Sequence, residues 1–441
     1  MSKEAAADIC IIGAGSSGIV AAKTFHQAGI PFDCFEKGSG VGGNWRYNND
    51  NGLSSAYRSL HINTNRNVMA YADYPMPAEY PMFPHHSQII RYFDSYVDHF
   101  GFRDKITFGT AVTDVSRTPD GRYTVTTDTG RMQTYSHVVV ANGHHWNPRY
   151  PDPPFPGTFA GETMHSHDYK VPEQIQGKKL LIIGIGNSAV DIACEAARQY
   201  GDHRVTISTR SGAYIIPNWL MGLPFDSLAN PLTSRLPLAI QRRLLGVSLW
   251  LARGRQESYG VPRPSRPMLS EHPTISQDLL NLAGRGMIRF KPNIQLFDGR
   301  DVVFDDGSRE SFDLVMFATG YRVSFPFFRQ GFFNVEESND LQLYRRVIHP
   351  DYPGLYFLGL LQPLGAIMPL AEIQAIWISR LIQGFCRLPD RQVMVQAIDE
   401  ESRRNRRRYT QSARHTLQVD FHQYKKTIER EMRKNKRVSA Y

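Results

Sequence analysis

Asp8-Ile9-Cys10-Ile11-Ile12-Gly13-Ala14-Gly15-Ser16-Ser17-Gly18 is the stretch that decides the fold. Its short, unbroken apolar run reads as a buried parallel strand, and it feeds directly into a glycine-rich turn. The Ala-rich segment Ile19 to Ala28 then reads as a helix, and Phe32-Asp33-Cys34-Phe35 as a second strand that ends at Glu36. Strand, turn, helix, strand is the order a Rossmann βαβ unit requires. Gly13 permits the tight turn, Gly15 lets a pyrophosphate reach the backbone, and Gly18 lets helix and strand pack closely. The helix start, with Ala14, Ser16 and Ser17, offers free N–H groups and partial positive charge to phosphate. Glu36, about 20 residues on, stands where a carboxylate accepts from ribose hydroxyls. Gly42-Gly43-Asn44-Trp45 follows; small residues here allow the chain close to a cofactor, and Trp45 can cover a flat ring.

The pattern recurs. Lys179 to Ile183 reads as a strand, Gly184-Ile185-Gly186-Asn187-Ser188-Ala189 as the turn, Val190 to Tyr200 as a helix, and Val205 to Ser208 as the next strand. Ala189 takes the third glycine position and is still small enough for close packing. The strand ends in Thr209-Arg210. A carboxylate at that point would repel a 2′-phosphate, whereas an arginine pairs with it. The second site is therefore expected to take NADPH, with His203, Arg204 and Ser208 as helpers. Two nucleotide sites in one chain imply electron transfer between two cofactors, most economically a retained flavin and an exchanged nicotinamide.

The 441 residues are too many for one ordinary core and imply two or three domains. Apolar and charged fractions of 41% and 21% suit a globular enzyme. The net charge of +9 reads as a basic surface. Much of the excess lies in Arg403 to Arg408 and from Lys425 to Lys436, interleaved with acids as on a solvated helix face. No nucleic-acid motif accompanies it. Cys10, Cys34, Cys194 and Cys386 form no CxxC pair, which argues against a disulfide scaffold or metal site and for a reducing compartment. No stretch reaches the roughly 20 apolar residues of a membrane span, so the expectation is a cytoplasmic protein without a membrane partner.

The fold class expected is α/β: two nested Rossmann-like, three-layer dinucleotide-binding domains with a small inserted antiparallel sheet. The FAD-binding domain is expected over 1–155 plus 300–441, with an NADPH-binding domain over 156–299 between its parts. Thr107 to Val115 and Tyr123 to Asp128 read as strands of the inserted sheet. Val138 to Gly143 reads as a buried strand running over the flavin, followed by a Pro-rich hinge. The second fold reads as running to about Pro292. Asp313 to Tyr321 and Leu355 to Gly359 read as returning strands, Ala371 to Arg387 as a helix, and the tail as polar and helical. Tyr214 to Pro273 has no clean period and reads as cover over the cleft.

With these segments in place the sequence resembles the class B flavin-containing monooxygenases of the soluble bacterial type. Phe159-Ala160-Gly161-Glu162-Thr163-Met164-His165-Ser166-His167-Asp168-Tyr169 matches the family fingerprint FxGxxxHxxx(Y/F), between the two glycine loops where the family has it. Ala318-Thr319-Gly320-Tyr321 matches its ATGY segment, and Leu361 to Ala366 and Arg414-His415-Thr416 also look familial. The likeness spans about residues 8 to 420. It implies that NADPH reduces FAD, that reduced flavin and O2 give a C4a-hydroperoxide, that NADP+ stays bound to shield it, and that a soft nitrogen or sulfur of a small molecule takes one oxygen. A dry, pre-organised pocket is the physical demand, because water promotes loss of peroxide.

The resemblance also implies roles. Asn63 is the best match to an Asn beside the reacting end of the flavin, with Asn65 and Asn67 as competitors. A side-chain amide can donate there without deprotonating peroxide. Lys37, Asn44, Trp45, Ile62, Thr64, Val112 and Gln362 join the flavin site, and Gly184, Gly186, Asn187, Ser188, Ala189, Asp191, Ser208 and Arg210 the NADPH site. Phe159, Gly161, His165 and Tyr169 carry the fingerprint, with His165 read as structural and Tyr169 as packing. Gln374 and Trp377 line the cleft or belong to a core helix. A homodimer is common in the family. The nearest rival is Baeyer–Villiger oxygenation of ketones, whose fingerprint ends in Trp where this one has Tyr169. N-hydroxylation of an amino acid or diamine follows. A disulfide reductase lacks its cysteine pair here, and a non-catalytic flavoprotein is at odds with two intact nucleotide loops.

Overall fold

The computed structural model of the chain describes residues 7–200, 204–228, 230, 233–329, 332, 341–408 and 417–433. His203, the stretch 414–416 and the last basic residues of the tail lie outside them. Two compact units emerge: residues 1–56, 60–147 and 322–441 form one, and 57–59 with 148–321 the other.

The first unit is organised by a five-stranded parallel sheet in the order Leu355–Phe357, His137–Val140, Ile9–Ile12, Phe32–Phe35, Ile106–Thr107. All four residues of Ile9–Ile12 are buried, as a strand covered on both faces must be. Helix Ser16–Gln27 buries Ile19, Val20, Ala21, Ala22 and Phe25, and helix Met368–Ile382 packs on it. The second unit repeats the plan, with a five-stranded parallel sheet in the order Glu162–His165, Leu314–Phe317, Leu180–Ile183, Val205–Ser208, Ile288–Lys291. In both sheets the strand leading into the glycines is central. One neighbour follows it through a helix, and the other returns from far along the chain. That is a topological switch point, where open α/β sheets bind ligands.

The helices begin earlier than hydrophobicity alone suggests, at Ser16 and Asn187, because the polar residues of each glycine turn form the first helical turn. Thr107 to Val115 is two strands, not one. Ile106–Thr107 closes the parallel sheet, whereas Val112–Arg117 joins Tyr123–Thr127 and Met132–Tyr135 in the inserted antiparallel sheet; Gly109, at φ +60°, separates them. The boundary expected at residue 300 falls inside a hairpin. Ile294–Gly299 pairs antiparallel with Asp301–Phe304, in a four-stranded sheet with Arg309–Ser311 and Gly157–Phe159. The second unit therefore runs on to Tyr321, well past Pro292. The predicted 371–387 helix is Met368–Ile382. The stretch 214–273 holds one long helix, Leu238–Arg253, among short strands and turns. The polar tail is helical over Arg391–Arg408 and Phe421–Arg433.

Candidate functional site

The two glycine turns are built alike. Gly13 sits at φ +98°, and its N–H donates to the Phe35 carbonyl at 2.8 Å. A Cβ there would lie 2.9 Å from the Ala141 carbonyl oxygen, at the end of the strand across the switch point. Gly184 sits at φ +117°, donates to the Ser208 carbonyl at 2.9 Å, and would place a Cβ 2.5 Å from the Ala318 oxygen. Both turns thus press against the neighbouring strand's end with no room for a side chain. Gly18 is tighter still: its Cβ would stand 1.8 Å from the Gly13 oxygen. The second loop accommodates one more carbon, since Ala189 is fully buried at the equivalent place.

At the first turn Gly15 caps helix Ser16–Gln27 with no side-chain hydrogen bond, which leaves the first-turn N–H groups to a ligand. Gly43, at φ +51°, lies against Gly15: a Cβ on it would be 3.1 Å from the Gly15 Cα. Two backbones meet there without side chains, which is what a pyrophosphate threaded past them needs. Glu36 is 4% exposed; Oε2 accepts from the Ala14 N–H at 2.7 Å, and Oε1 from the Gly38 N–H at 2.8 Å and the Asn51 amide at 3.3 Å. The carboxylate is held at the loop while keeping lone pairs for further donors. Asn44 is exposed and its Oδ1 accepts from Ser55; Trp45 is half-buried against the core; Lys37 is exposed. Arrangement and chemistry fit a dinucleotide.

The asparagines separate cleanly. Asn65 is fully buried and caps helix Arg66–Met69 by accepting from the Asn67 and Val68 N–H groups at 3.0 and 3.2 Å. Asn63 is exposed, between buried Ile62 and half-buried Thr64. Val112 opens a strand of the inserted sheet. Gln362 is half-buried on the short strand Gln362–Leu364, paired with Gln418–Asp420. Gln374 and Trp377 are core. Gln374 accepts from the Gly359 N–H at 2.9 Å and donates to the Tyr424 hydroxyl at 2.6 Å, and Trp377 is buried.

At the second turn Ser188 is exposed, and Asn187 Oδ1 accepts from the Ile275 N–H at 2.8 Å. Thr274 Oγ1 donates to the Ile185 carbonyl at 2.6 Å. The Thr274–Ile275 strand thus latches the turn. Its position follows an aperiodic stretch, so no sequence signal marked it. Asp191 accepts from the Tyr57 hydroxyl. Arg210 is exposed, and no hydrogen bond or ion pair engages it among the described residues. Of the two described helpers, Ser208 is committed elsewhere, whereas Arg204 is exposed and uses one of its five N–H donors elsewhere. Ser208 is buried and donates to the Pro292 carbonyl at 2.6 Å, so it has no proton to offer a phosphate, and Arg204 donates to the Gly177 carbonyl at 2.8 Å.

The fingerprint is structural chemistry. Gly161 is required because a Cβ would lie 2.6 Å from the Phe159 ring and 2.8 Å from the Asp313 oxygen. His165 is fully buried, packed by the Tyr150 and Tyr321 rings at 5.4 and 5.5 Å, and its Nδ1 accepts from the His167 N–H at 3.0 Å. Burial drives its pKa down to about 4, so it is neutral at working pH and closed to a substrate. Tyr169 is fully buried and donates to Glu195 at 2.8 Å.

A chain with two switch-point cradles, each opening on a helix N-terminus, is a two-dinucleotide α/β oxidoreductase. The flavin-binding monooxygenase-like family model matches residues 6–438, and the chain belongs to that family; it is a flavin-dependent monooxygenase. It is 37% identical over 433 residues to flavin-containing monooxygenase 5 of Rattus norvegicus, covering 94% of this chain and 80% of that protein. With dimethylaniline monooxygenase [N-oxide-forming] 2 of Rattus norvegicus the identity is 33% over 438 residues, covering 94% and 81%. Among solved structures, S-allyl-L-cysteine S-oxygenase of Allium sativum superposes with a TM-score of 0.72 at 25% identity, covering 98% of this chain and 89% of that one. An open crystal structure of cyclohexanone monooxygenase shares the fold, with a TM-score of 0.69 at 18% identity over 96% and 97%.

Proposed function

We propose that this enzyme binds FAD in the first unit and NADPH in the second, and transfers one atom of O2 to a soft nucleophilic nitrogen or sulfur of a small molecule. The balance is NADPH, H+, O2 and substrate giving NADP+, water and the N- or S-oxide. When bound, FAD supplies the redox chemistry, taking two electrons from NADPH and activating O2. The protein's part is to position and shield. Gly13, Gly15, Gly18 and Gly43 clear space for a pyrophosphate, and Ala14, Ser16 and Ser17 present backbone N–H groups to it. Glu36 accepts from a ribose. Lys37, Asn44, Trp45, Ile62, Thr64, Val112 and Gln362 complete that site. Gly184, Gly186, Asn187, Ser188, Ala189 and Asp191 form the second, where Arg210 pairs with the 2′-phosphate. Asn63 offers an amide N–H to the reacting end of the flavin, a donor that cannot act as a base at neutral pH.

One observation carries the reading: the strand after each glycine turn leads into opposite chemistry, a buried carboxylate at Glu36, one residue past its strand, and an exposed guanidinium at Arg210, two residues past its own, that no hydrogen bond or ion pair engages among the described residues. Two relatives whose names describe N-oxide formation and S-oxygenation support the substrate class. A cytoplasmic homodimer is part of the same proposal; four free, buried cysteines support the reducing compartment. The test is product analysis with NADPH and O2 on a tertiary amine, a thioether and a cyclic ketone. N- or S-oxide as the main product is expected; lactone as the dominant product overturns the reading in favour of Baeyer–Villiger chemistry.

A further inference from the structure

The second unit is not one contiguous insertion. Tyr57–Ser59 belongs to it, although the chain on either side, up to Ala56 and from Leu60, belongs to the first unit. The three residues are pinned by backbone and side chains. The Arg58 N–H donates to the Lys170 carbonyl at 2.8 Å, and the Arg58 guanidinium pairs with Glu173 at 2.7 Å. Tyr57 is 5% exposed, and its ring lies 5.6 Å from the ring of Tyr169, the last residue of the fingerprint.

Both rings turn their hydroxyls to one helix. Tyr57 donates to Asp191, and Tyr169 donates to Glu195 at 2.8 Å. The two acids stand four residues apart on helix Asn187–Tyr200, so they share a face, one turn apart. That helix opens at the second glycine turn, where its N-terminus is offered to phosphate. Asp191 lies one turn in from Asn187, and helical side chains lean back towards the N-terminus. Asp191 is exposed, and a carboxylate there repels the phosphates that the backbone N–H groups attract. Where that charge stands therefore sets the affinity of the turn. Tyr57 is suited to fix it. Burial first, and the Asp191 charge after it, push the Tyr57 phenol well above its ordinary pKa, so it remains a donor at any working pH.

We propose that Tyr57 is a positioning residue of the second nucleotide site: its hydroxyl restrains the Asp191 carboxylate away from the pyrophosphate, and the affinity for the nicotinamide nucleotide depends on that restraint. The inference rests on the reading that NADPH occupies the second unit. It makes that site a composite, completed by three residues that the sequence places well before the second glycine turn. It also separates Tyr57 from Arg210. The pyrophosphate is common to NADPH and NADH, so loss of the Tyr57 hydroxyl weakens both alike, whereas Arg210 discriminates between them through the 2′-phosphate.

The test is calorimetric titration of the full-length, FAD-loaded enzyme with NADP+, beside steady-state oxidation of both reduced nucleotides. Tyr57→Phe should raise the Kd of NADP+ about three- to tenfold, and less in high salt. The KM values for NADPH and NADH should rise by the same factor, and KM should move more than kcat. Asp191→Asn, at an exposed position, should bind NADP+ more tightly than wild type. In that background Tyr57→Phe should cost less than about twofold. An unchanged Kd in Tyr57→Phe, a Tyr57→Phe defect that persists in the Asp191→Asn background, or weaker binding in Asp191→Asn overturns the proposal. If Tyr57→Phe does not fold, Asp191→Asn alone decides it. Wild-type enzyme that binds no NADP+ overturns instead the reading of the second unit on which the proposal rests.

Discussion

Replacing Arg210 by alanine isolates the feature that distinguishes the two cradles. Arg210 is exposed and makes no ion pair among the described residues, so its removal strips nothing from the folded core and should leave stability unchanged. What it removes is one charge-assisted contact to the 2′-phosphate. Such bonds contribute about 1.5–3 kcal/mol. Screening at an exposed site favours the lower end, so the KM for NADPH should rise about ten- to thirtyfold, at about 1.4 kcal/mol per tenfold. Ser208, buried and donating to Pro292, cannot substitute. NADH has no phosphate there, and its KM should move less than about twofold. The assay is steady-state oxidation of both nucleotides at two ionic strengths, with the NADPH defect larger in low salt. Equal effects on NADPH and NADH, or a defect that ignores salt, would refute the 2′-phosphate assignment.

Gly18→Ala places a methyl group 1.8 Å from the Gly13 oxygen; overpacking of this kind costs about 1–3 kcal/mol or more, so urea denaturation should show lower stability and the purified protein should be FAD-poor. Asn63→Ala should keep FAD and NADPH oxidation but release hydrogen peroxide in place of product, whereas Asn65→Ala loses a helix cap and about 1 kcal/mol of stability; product-to-NADPH ratios and urea titrations distinguish them. His165, held down to about 4 from an ordinary 6.5 by burial, binds its proton less readily folded than unfolded. Stability is therefore complete above pH 6.5 and falls between pH 6.5 and 4, by up to about 3 kcal/mol. His165→Gln should flatten that slope in pH-dependent unfolding, and an unchanged slope would remove His165 from the account.

The parallel sheets were legible because fully buried strands are unbroken apolar runs and the glycines punctuate them. Glu36 and Arg210 stood out because they lie just past the strands Phe32–Phe35 and Val205–Ser208, at the ends that open on the glycine turns, where a charged residue is legible whatever the packing behind it. The inserted sheet's border was not, since nothing in the composition of Thr107 to Val115 marks that Gly109 passes the chain from one sheet to another. The hairpin across residue 300 was missed although Asp298-Gly299 and Asp306-Gly307 are turn signals. The latch from Thr274 to the second turn is a tertiary contact across 89 positions, invisible to local periodicity. The exposed side of helix Leu238–Arg253 defeats pattern reading for a different reason. Apolar residues lie all round it, so periodicity cannot say which side is inward.

The most direct measurement is anaerobic titration of the purified yellow protein with NADPH, followed by admission of oxygen and a thioether. The flavin's visible absorption should bleach with one equivalent of NADPH, NADH should act only at much higher concentration, and one sulfoxide should form per flavin reoxidised. Protein that is colourless and cannot be reconstituted with FAD, or yellow protein that NADPH does not bleach, would contradict it.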